Sequence, residues 1–511
     1  MKEYADTCRI TPIRGDCSAL CCGDFGPSKS PWNSAGRVCS SCRPDYIHNM
    51  RGPTVDRSLT RAIWALSWPI AGANFLMRGA SIIDTALVGR LGGTALAAVG
   101  TSQIVFFLAI ATIQGLAVGG QVMVAFHTGA KDPARARAAA GAALASGIGV
   151  ALVTMLIMPA VTPWLAALMG SAPEVIALAV QYLNWIWWFI AFRSLLIILT
   201  QIFQGYGDSR TPLWVIGGVS LVHVAIAYPL IFGAGGFRPW GVAGASFAAG
   251  VSECAGVLVL LVIGIRRRMI DLCFWRCSRR DHADVWRTGW PTAGERLSVM
   301  SMQFAFARIL NRISQSAFAA FRVGLEIEAF SFLLGMGFAN AATTLVSQNL
   351  GAKDRARAKR SAMITLWMAC GYMFVLGLTY FFLGGYWFRV FTTDPEVIRH
   401  GTMYMHFAAF TQVPLATALV LAGALRGAGE NRWVMFASIL FGWGIRVPVA
   451  YVATAVLGGG AQWVWFTVVL DWVIRAGWMY LRFRSDNWRL AQSPPISLKP
   501  PGIIVPAEVS T

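Results

Sequence analysis

Apolar stretches long enough to cross a bilayer, about 20 residues each, recur along the chain with short polar breaks between them. Twelve can be read: 62–88, 96–125, 136–163, 174–203, 211–233, 242–265, 289–311, 324–348, 360–387, 399–424, 433–457 and 462–482. Several are interrupted by Gly or Pro. No globular fold buries so many segments of this length. The pattern predicts an all-α membrane protein with twelve transmembrane helices.

The second half of the pattern repeats the first at an offset of 222 positions. Trp68-Pro69 falls on Trp290-Pro291, and Gly129-Ala130-Lys131-Asp132 on Gly351-Ala352-Lys353-Asp354. Pro173-Glu174-Val175 with Tyr182 falls on Pro395-Glu396-Val397 with Tyr404, and Gly205-Tyr206-Gly207-Asp208 on Gly427-Ala428-Gly429-Glu430. A hydrophobic repeat of this size points to a transporter made of two bundles around one pathway. Six spans per repeat is an even number, so both halves enter the membrane in the same orientation. The expected architecture is two six-helix bundles related by a pseudo-twofold along the membrane normal, an N-lobe over 55–265 and a C-lobe over 289–485. A basic linker, 266–288, joins them.

Composition agrees. The chain is 56% hydrophobic and 13% charged, against about 25% charged in soluble domains. Its net charge of +19 raises nucleic acid as a partner, but the placement of the charge argues against it. Arg266, Arg267, Arg268, Arg276, Arg279, Arg280 and Arg287 lie between spans 6 and 7, and Lys353, Arg355, Arg357, Lys359 and Arg360 between spans 8 and 9. Lys131, Arg135 and Arg137 lie between spans 2 and 3, and Arg482, Arg484 and Arg489 follow span 12. All fall on one side of the membrane. The positive-inside rule makes that side the cytoplasm, with both termini there and the protein in the inner (plasma) membrane.

The two ends stand outside the pattern. Residues 1–50 hold Cys8, Cys17, Cys21, Cys22, Cys39 and Cys42. The Cys39/Cys42 spacing allows a zinc site, but the stretch lacks hydrophobic periodicity. It reads better as a mis-assigned start ahead of Met50 or as a disordered extension. Residues 486–511 read as a disordered cytoplasmic tail.

Within the spans, acids are rare and therefore informative, since an intramembrane carboxylate is costly. Asp84 lies deep in span 1, and the repeat places Phe306 at its counterpart. A requirement of the duplicated fold would recur, so Asp84 is read as functional, with pairing to Arg78 as the structural alternative. Burial favours the neutral form of a carboxyl group, which suits proton binding and release. Glu295 in span 7, whose counterpart is Ala73, is expected to face a shared cavity and attract a cation or take a proton. Glu326 and Glu328 in span 8 are further cavity candidates, with i,i+4 pairing of Glu326 to Arg322 as the alternative. Glu253 in span 6 is weaker, and Asp471 with Arg475 reads as a structural ion pair. Trp185, Trp187, Trp188, Phe189 and Phe192 crowd span 4. Most are expected to pack or anchor at the interface. Some could meet flat cations.

The first repeat reads WPIAGANFLMRGASIIDTALVGRLGGTALAAVG, followed by GAKD and QGYGDSRTP; the second contains WPTAGERL and IEAFSFLLGMGFANAATTLVSQNLGAKD. In order, spacing and duplication these resemble the multidrug and toxic compound extrusion (MATE) family, in particular its bacterial DinF-like branch, over about 55–485. The resemblance implies a polytopic antiporter, with two lobes forming a V around a central cavity. It would expel amphipathic, often cationic, drugs and toxic compounds in exchange for protons or sodium ions. It links the first-span Asp, here Asp84, to cation coupling. Many members carry Asn, three residues, then Asp before a Tyr in span 5. Here the stretch is His223-Val224-Ala225-Ile226-Ala227-Tyr228, which removes two oxygen ligands. A histidine titrating near neutrality suits protons better than sodium, so His223 joins Asp84 as a coupling candidate. The alternative is a buried neutral His223 packed against span 4. No cofactor is expected, and a monomer is. A flippase for lipid-linked oligosaccharides, from the same superfamily, is the competing function, favoured by Arg193, Arg308 and Arg446. An enzyme is not expected, since no HExxH or phosphate-loop motif lies in the spans.

Overall fold

The computed structural model describes residues 57–485 and 488, apart from 169–171, 234, 235, 237 and 272–276. The chain ends read above as extension and tail lie outside the described residues, except Trp488. The helices run α1 (Arg57–Gly89), α2 (Gly93–Gly129), α3 (Pro133–Leu168), α4 (Pro173–Tyr206), α5 (Arg210–Phe232) and α6 (Val242–Arg266). The second set is α7 (Arg279–Ile313), α8 (Gln315–Gly351), α9 (Arg355–Arg389), α10 (Pro395–Gly427), α11 (Asn431–Val456) and α12 (Ala461–Arg484). No strand occurs among the described residues.

Ten of these helices are apolar and long enough to cross a membrane. The two that fall short, α1 and α7, are as long as the rest but carry Arg78 with Asp84 in the second half of α1 and Glu295 with Arg296 in the middle of α7. The candidate acids themselves make these spans the more polar ones. The linker also needs correction. The stretch 266–288 is helical from Arg279, where Ser278 and Asp281 form a capping box, so its second half is the start of α7. α11 departs from α-helical geometry through π-helical turns at Gly442–Arg446 and Val452–Val456. The first absorbs Pro448, which cannot donate to the preceding turn.

The duplication extends to contacts. A methyl group added at Gly129 would overlap the Gln348 backbone, and one at Gly351 would overlap that of Phe126. Residues 348 and 351 are the counterparts of 126 and 129, so α2 and α8 cross reciprocally, as a twofold demands. A second pair repeats this. A β-carbon at Gly115 would lie 2.6 Å from the Gly289 carbonyl oxygen, and one at Gly337 would lie 2.7 Å from that of Ser67. Small residues here let the lobe backbones touch. Hydrogen bonds between the lobes cluster near the same crossing: Gln121 to Thr344 (3.2 Å), Ser347 to the Val122 carbonyl (2.8 Å) and Gln348 to the Gly205 carbonyl (2.9 Å). The lobes are therefore joined towards the end that bears the basic turns.

Those turns also match. Lys131 and Lys353 have φ of 57° and 62°, and Gly207 and Gly429 have φ of 94° and 81°. A lysine in the left-handed region costs about 1–2 kcal/mol, so its recurrence at both copies marks one inherited turn. Asp208 accepts hydrogen bonds from the Arg210 and Thr211 amides, which start α5, and from Arg267 (2.6 Å) at the end of α6. Its counterpart Glu430 meets Arg482 of α12 at 2.9 Å. Burial pushes the Asp208 carboxyl up, but Thr211 and Arg267 outweigh it and hold the group below the ordinary carboxylate value. Asp208→Ala is expected to cost about 1–2 kcal/mol, the scale of a lost helix cap. Because the folded-state value is lowered, the contribution is complete above the ordinary aspartate pKa of about 3.9 and is lost as pH falls below it. Thermal unfolding in detergent should show the gap between wild type and variant at pH 7 and its closure in acid.

Candidate functional site

α1 and α5 pack closely in the N-lobe, with Gly72 against Leu213 and Gly217 against Leu76. One turn after another along this contact leads to Asp84 on α1 and His223 on α5, whose Oδ1 and Nε2 atoms lie 3.5 Å apart. Their side chains are 14% and 10% exposed. Asp84 Oδ1 receives no well-directed hydrogen bond, and His223 Nδ1 has no partner. The pair is thus close, with His223 buried and Asp84 half-buried, and incompletely satisfied. Ala227, fully buried, places a methyl group where relatives in the MATE family were expected to hold an acid. Tyr182 of α4, also buried, lies within electrostatic reach of Asp84, Arg193 and Glu253.

The structure brings together Asp84 and His223 and separates the other candidates. Arg78, the alternative partner of Asp84, instead reaches across to α8 and pairs with Glu326. This also corrects the expected Glu326–Arg322 pairing: the bond joins the two lobes instead of two turns of one helix. Glu295 does not face a cavity as a lone acid. Arg426 of α10 donates to both of its carboxylate oxygens at 2.7 and 2.8 Å. Glu253 likewise pairs with Arg193, which also lies 5.3 Å from the Phe106 ring centre. Asp471 accepts two bonds from Arg475 at 2.9 and 3.1 Å, as its spacing implied, and sits 3.8 Å from Arg446. Arg193 and Arg446, which favoured a flippase, are therefore engaged by carboxylates. Glu328 accepts a 2.6 Å hydrogen bond from Tyr404.

Five of the six acids thus have an arginine or a tyrosine as partner. Asp84 is the one that faces a titratable imidazole. No group of three or more His, Cys, Asp or Glu side chains suited to a metal ion occurs among the described residues. Sequence reasoning missed Arg426, Tyr182 and Tyr404 as participants. The tyrosines had a signal: they are counterparts in the repeat, and in each lobe the tyrosine lies near an acid. In span 4, Trp187 is fully buried, Trp185 stacks on Trp240 at 5.9 Å, and Trp188 is exposed. Packing accounts for the first two.

The MatE family profile matches residues 69–229 and again 291–452, two segments that begin 222 positions apart. The chain belongs to the MatE family. Among its relatives, the probable multidrug resistance protein NorM of Thermotoga maritima is 26% identical over 450 residues, covering 87% of this chain and 95% of that protein. A protein of the same description from Bradyrhizobium diazoefficiens is 29% identical over 428 residues, covering 80% and 89%. A variant of the Vibrio cholerae MATE transporter VcmN superposes with a TM-score of 0.79 at 17% identity, covering 84% of this chain and 98% of that one. A MOP superfamily transporter from Pyrococcus furiosus gives 0.78 at 20% identity, covering 84% and 95%. The fold is that of these transporters, and the chain is a multi-pass membrane protein.

Proposed function

We propose that this protein exports amphipathic, often cationic, compounds in exchange for protons, with Asp84 and His223 acting as one coupling unit. The observation that carries the reading is their 3.5 Å approach inside the N-lobe, with no arginine on the carboxylate. Two close titrating groups share protons as a pair. Without an added proton the pair holds a carboxylate and a neutral imidazole, a net charge of −1. With one proton its net charge is zero, whether that proton sits on the carboxyl or on the ring. Only the first state offers a counter-charge to an organic cation. Proton entry from the outside cancels that attraction and favours release of the cargo, and proton loss to the inside restores it. Exchange follows from this charge alternation without an assembled metal cage.

The basic turns at one end of the bundle support placing that end, and both termini, in the cytoplasm of a cell whose plasma membrane holds the protein. Its names among relatives support drugs as cargo: NorM of Thermotoga maritima is described as a probable multidrug resistance protein. The protein is taken to work as a monomer, each copy holding both lobes. The test is dye efflux from cells lacking their own drug pumps. Expression of the protein should lower dye retention and raise tolerance to cationic drugs. Unchanged retention at good membrane expression would reject the reading.

A further inference from the structure

α1 belongs to both lobes. Ser67, Ala71, Phe75 and Arg78 follow one another at helical spacing along one stripe, and that stripe faces α8. A β-carbon at Gly337 would lie 2.7 Å from the Ser67 carbonyl oxygen and 3.2 Å from the Ala71 β-carbon. Further along, the Phe75 and Phe330 rings are centred 5.8 Å apart, and Arg78 pairs with Glu326. A second stripe lies on the far side of the helix, at about 100° per residue, and faces α5 of the N-lobe. There Gly72 meets Leu213, Leu76 meets Gly217, and Asp84 meets His223. One helix therefore carries the coupling pair on one side and an ion pair to the opposite lobe on the other. Arg78 and Glu326 lie beyond the tight crossing, in the half of the bundle away from the basic turns, which is the outer half.

The repeat shows that the fold does not require this ion pair. The counterpart seam, between α7 and α2, has the same tight crossing at Gly115 and Gly289. At the places of Arg78 and Glu326 it has Met300 and Ile104, and at those of Phe75 and Phe330 it has Leu297 and Leu108. The same copy has Phe306 and Ile445 where α1 and α5 have Asp84 and His223. The titratable pair and the ion pair between the lobes thus occur together on α1 and are missing together on α7. The side chains of Arg78 and Glu326 are 39% and 45% exposed. An ion pair this open to solvent holds weakly, so it can form and break within a transport cycle where a buried pair could not.

We propose that Arg78 and Glu326 are positioning residues of the exchange, an outer-half latch through which the proton state of the Asp84–His223 unit sets the distance between α1 and the C-lobe. This rests on the efflux reading above and deepens it. Asp84 is the one acid on α1, about 9 Å beyond Arg78 along the helix axis. While the unit has its net charge of −1, Asp84 and Glu326 both attract the Arg78 guanidinium. One added proton cancels the first attraction and leaves the second, so the latch tightens and the outer seam closes. That sign fits the exchange, because the proton-loaded, cargo-free protein is the one that must close on the outside before it returns. Tyr182 and Arg193 of α4 and Glu253 of α6 stand near Asp84, with Arg193 paired to Glu253, and Tyr228 follows His223 on α5. On α8, Arg322 lies one turn before Glu326, and Glu328 accepts from Tyr404. On α9, which meets α8 through Trp387 and Phe330, Arg389 lies 5.4 Å from the centre of the Tyr386 ring. None of these groups lies on α1.

The experiment uses the full chain in liposomes, with spin labels on non-canonical residues at Ala86 of α1 and Gln315 of α8. Their separation is measured without cargo at pH values of about 8 and about 5.5, on either side of the ordinary histidine range. Wild type should show a shorter separation in acid. Asp84→Asn, neutral at both pH values, should hold the short separation throughout, and Glu326→Gln should hold the long one throughout. The exchanged pair, Arg78→Glu with Glu326→Arg, should restore the pH-dependent change. Proton-driven dye efflux should fall about tenfold in each single variant, within the range of a coupling free energy between two sites, and recover in the exchanged pair. A merely structural tie would not make the separation follow pH through Asp84. A wild-type separation that ignores pH overturns the proposal, as does a pH response retained by Glu326→Gln or an exchanged pair no better than the single variants. If Glu326→Gln does not fold, Arg78→Gln decides in the same way. Wild type that pumps dye without a pH-dependent separation rejects the latch alone, whereas wild type without efflux rejects the efflux reading and the latch with it.

Discussion

Asp84→Asn is expected to abolish proton-linked efflux and to leave the protein inserted and folded. Asn preserves the shape of the side chain and its hydrogen-bonding capacity but has no titratable charge. The paired unit then cannot alternate between net charges of −1 and zero, and at neutral imidazole it offers the cargo no counter-charge in either state. Folding should be little affected, because no arginine pairs with Asp84 and no helix cap depends on it. His223→Gln should retain part of the activity, since the carboxylate alone can still take up a proton. Dye efflux normalised to membrane expression checks both variants. Normal transport by Asp84→Asn would remove Asp84 from the coupling mechanism.

Glu295→Ala should be strongly destabilising. Its side chain and that of Arg426 are 12% and 11% exposed, and the guanidinium holds both carboxylate oxygens. Removing one partner of a buried pair leaves an uncompensated charge and costs about 3–5 kcal/mol, whereas replacing both by apolar residues of similar volume is often near neutral. The double variant Glu295→Met, Arg426→Met should therefore recover most of the lost thermal stability in detergent. Its transport carries the functional question. Efflux close to wild type assigns the pair a structural role, and a stable but inactive double variant gives Glu295 a part in transport.

Much of the architecture is legible in the sequence because membrane spans and a long repeat are written in composition and spacing. The 222-position offset is the same offset that relates Gly129 to Gly351 and Gly115 to Gly337 in the lobe crossing. Helix ends are less legible. α7 begins at Arg279 and not near 289 because a helix can leave the bilayer without a change of backbone, and hydropathy marks the bilayer edge, not the helix edge. The acids divide for a similar reason. Asp84 and His223 could be selected singly because each is an unusual residue at its place in a span. Glu295, Glu253 and Glu326 were selected on the same ground, yet their partners Arg426, Arg193 and Arg78 lie 131, 60 and 248 positions away. A linear pattern reports that a charge is buried. It does not report which distant residue neutralises it, and that decides whether the charge is free for chemistry.

The identity of the driving ion tests the central claim most directly. Purified protein in liposomes is loaded with a fluorescent cation and given either a pH gradient at equal sodium or a sodium gradient at equal pH. The account predicts cation movement against its own gradient under the pH gradient and none under sodium alone, since Ala227 offers no ligand and His223 gives a nitrogen to an ion that prefers oxygen. Transport driven by sodium at zero pH gradient, and silent under the pH gradient, would contradict it.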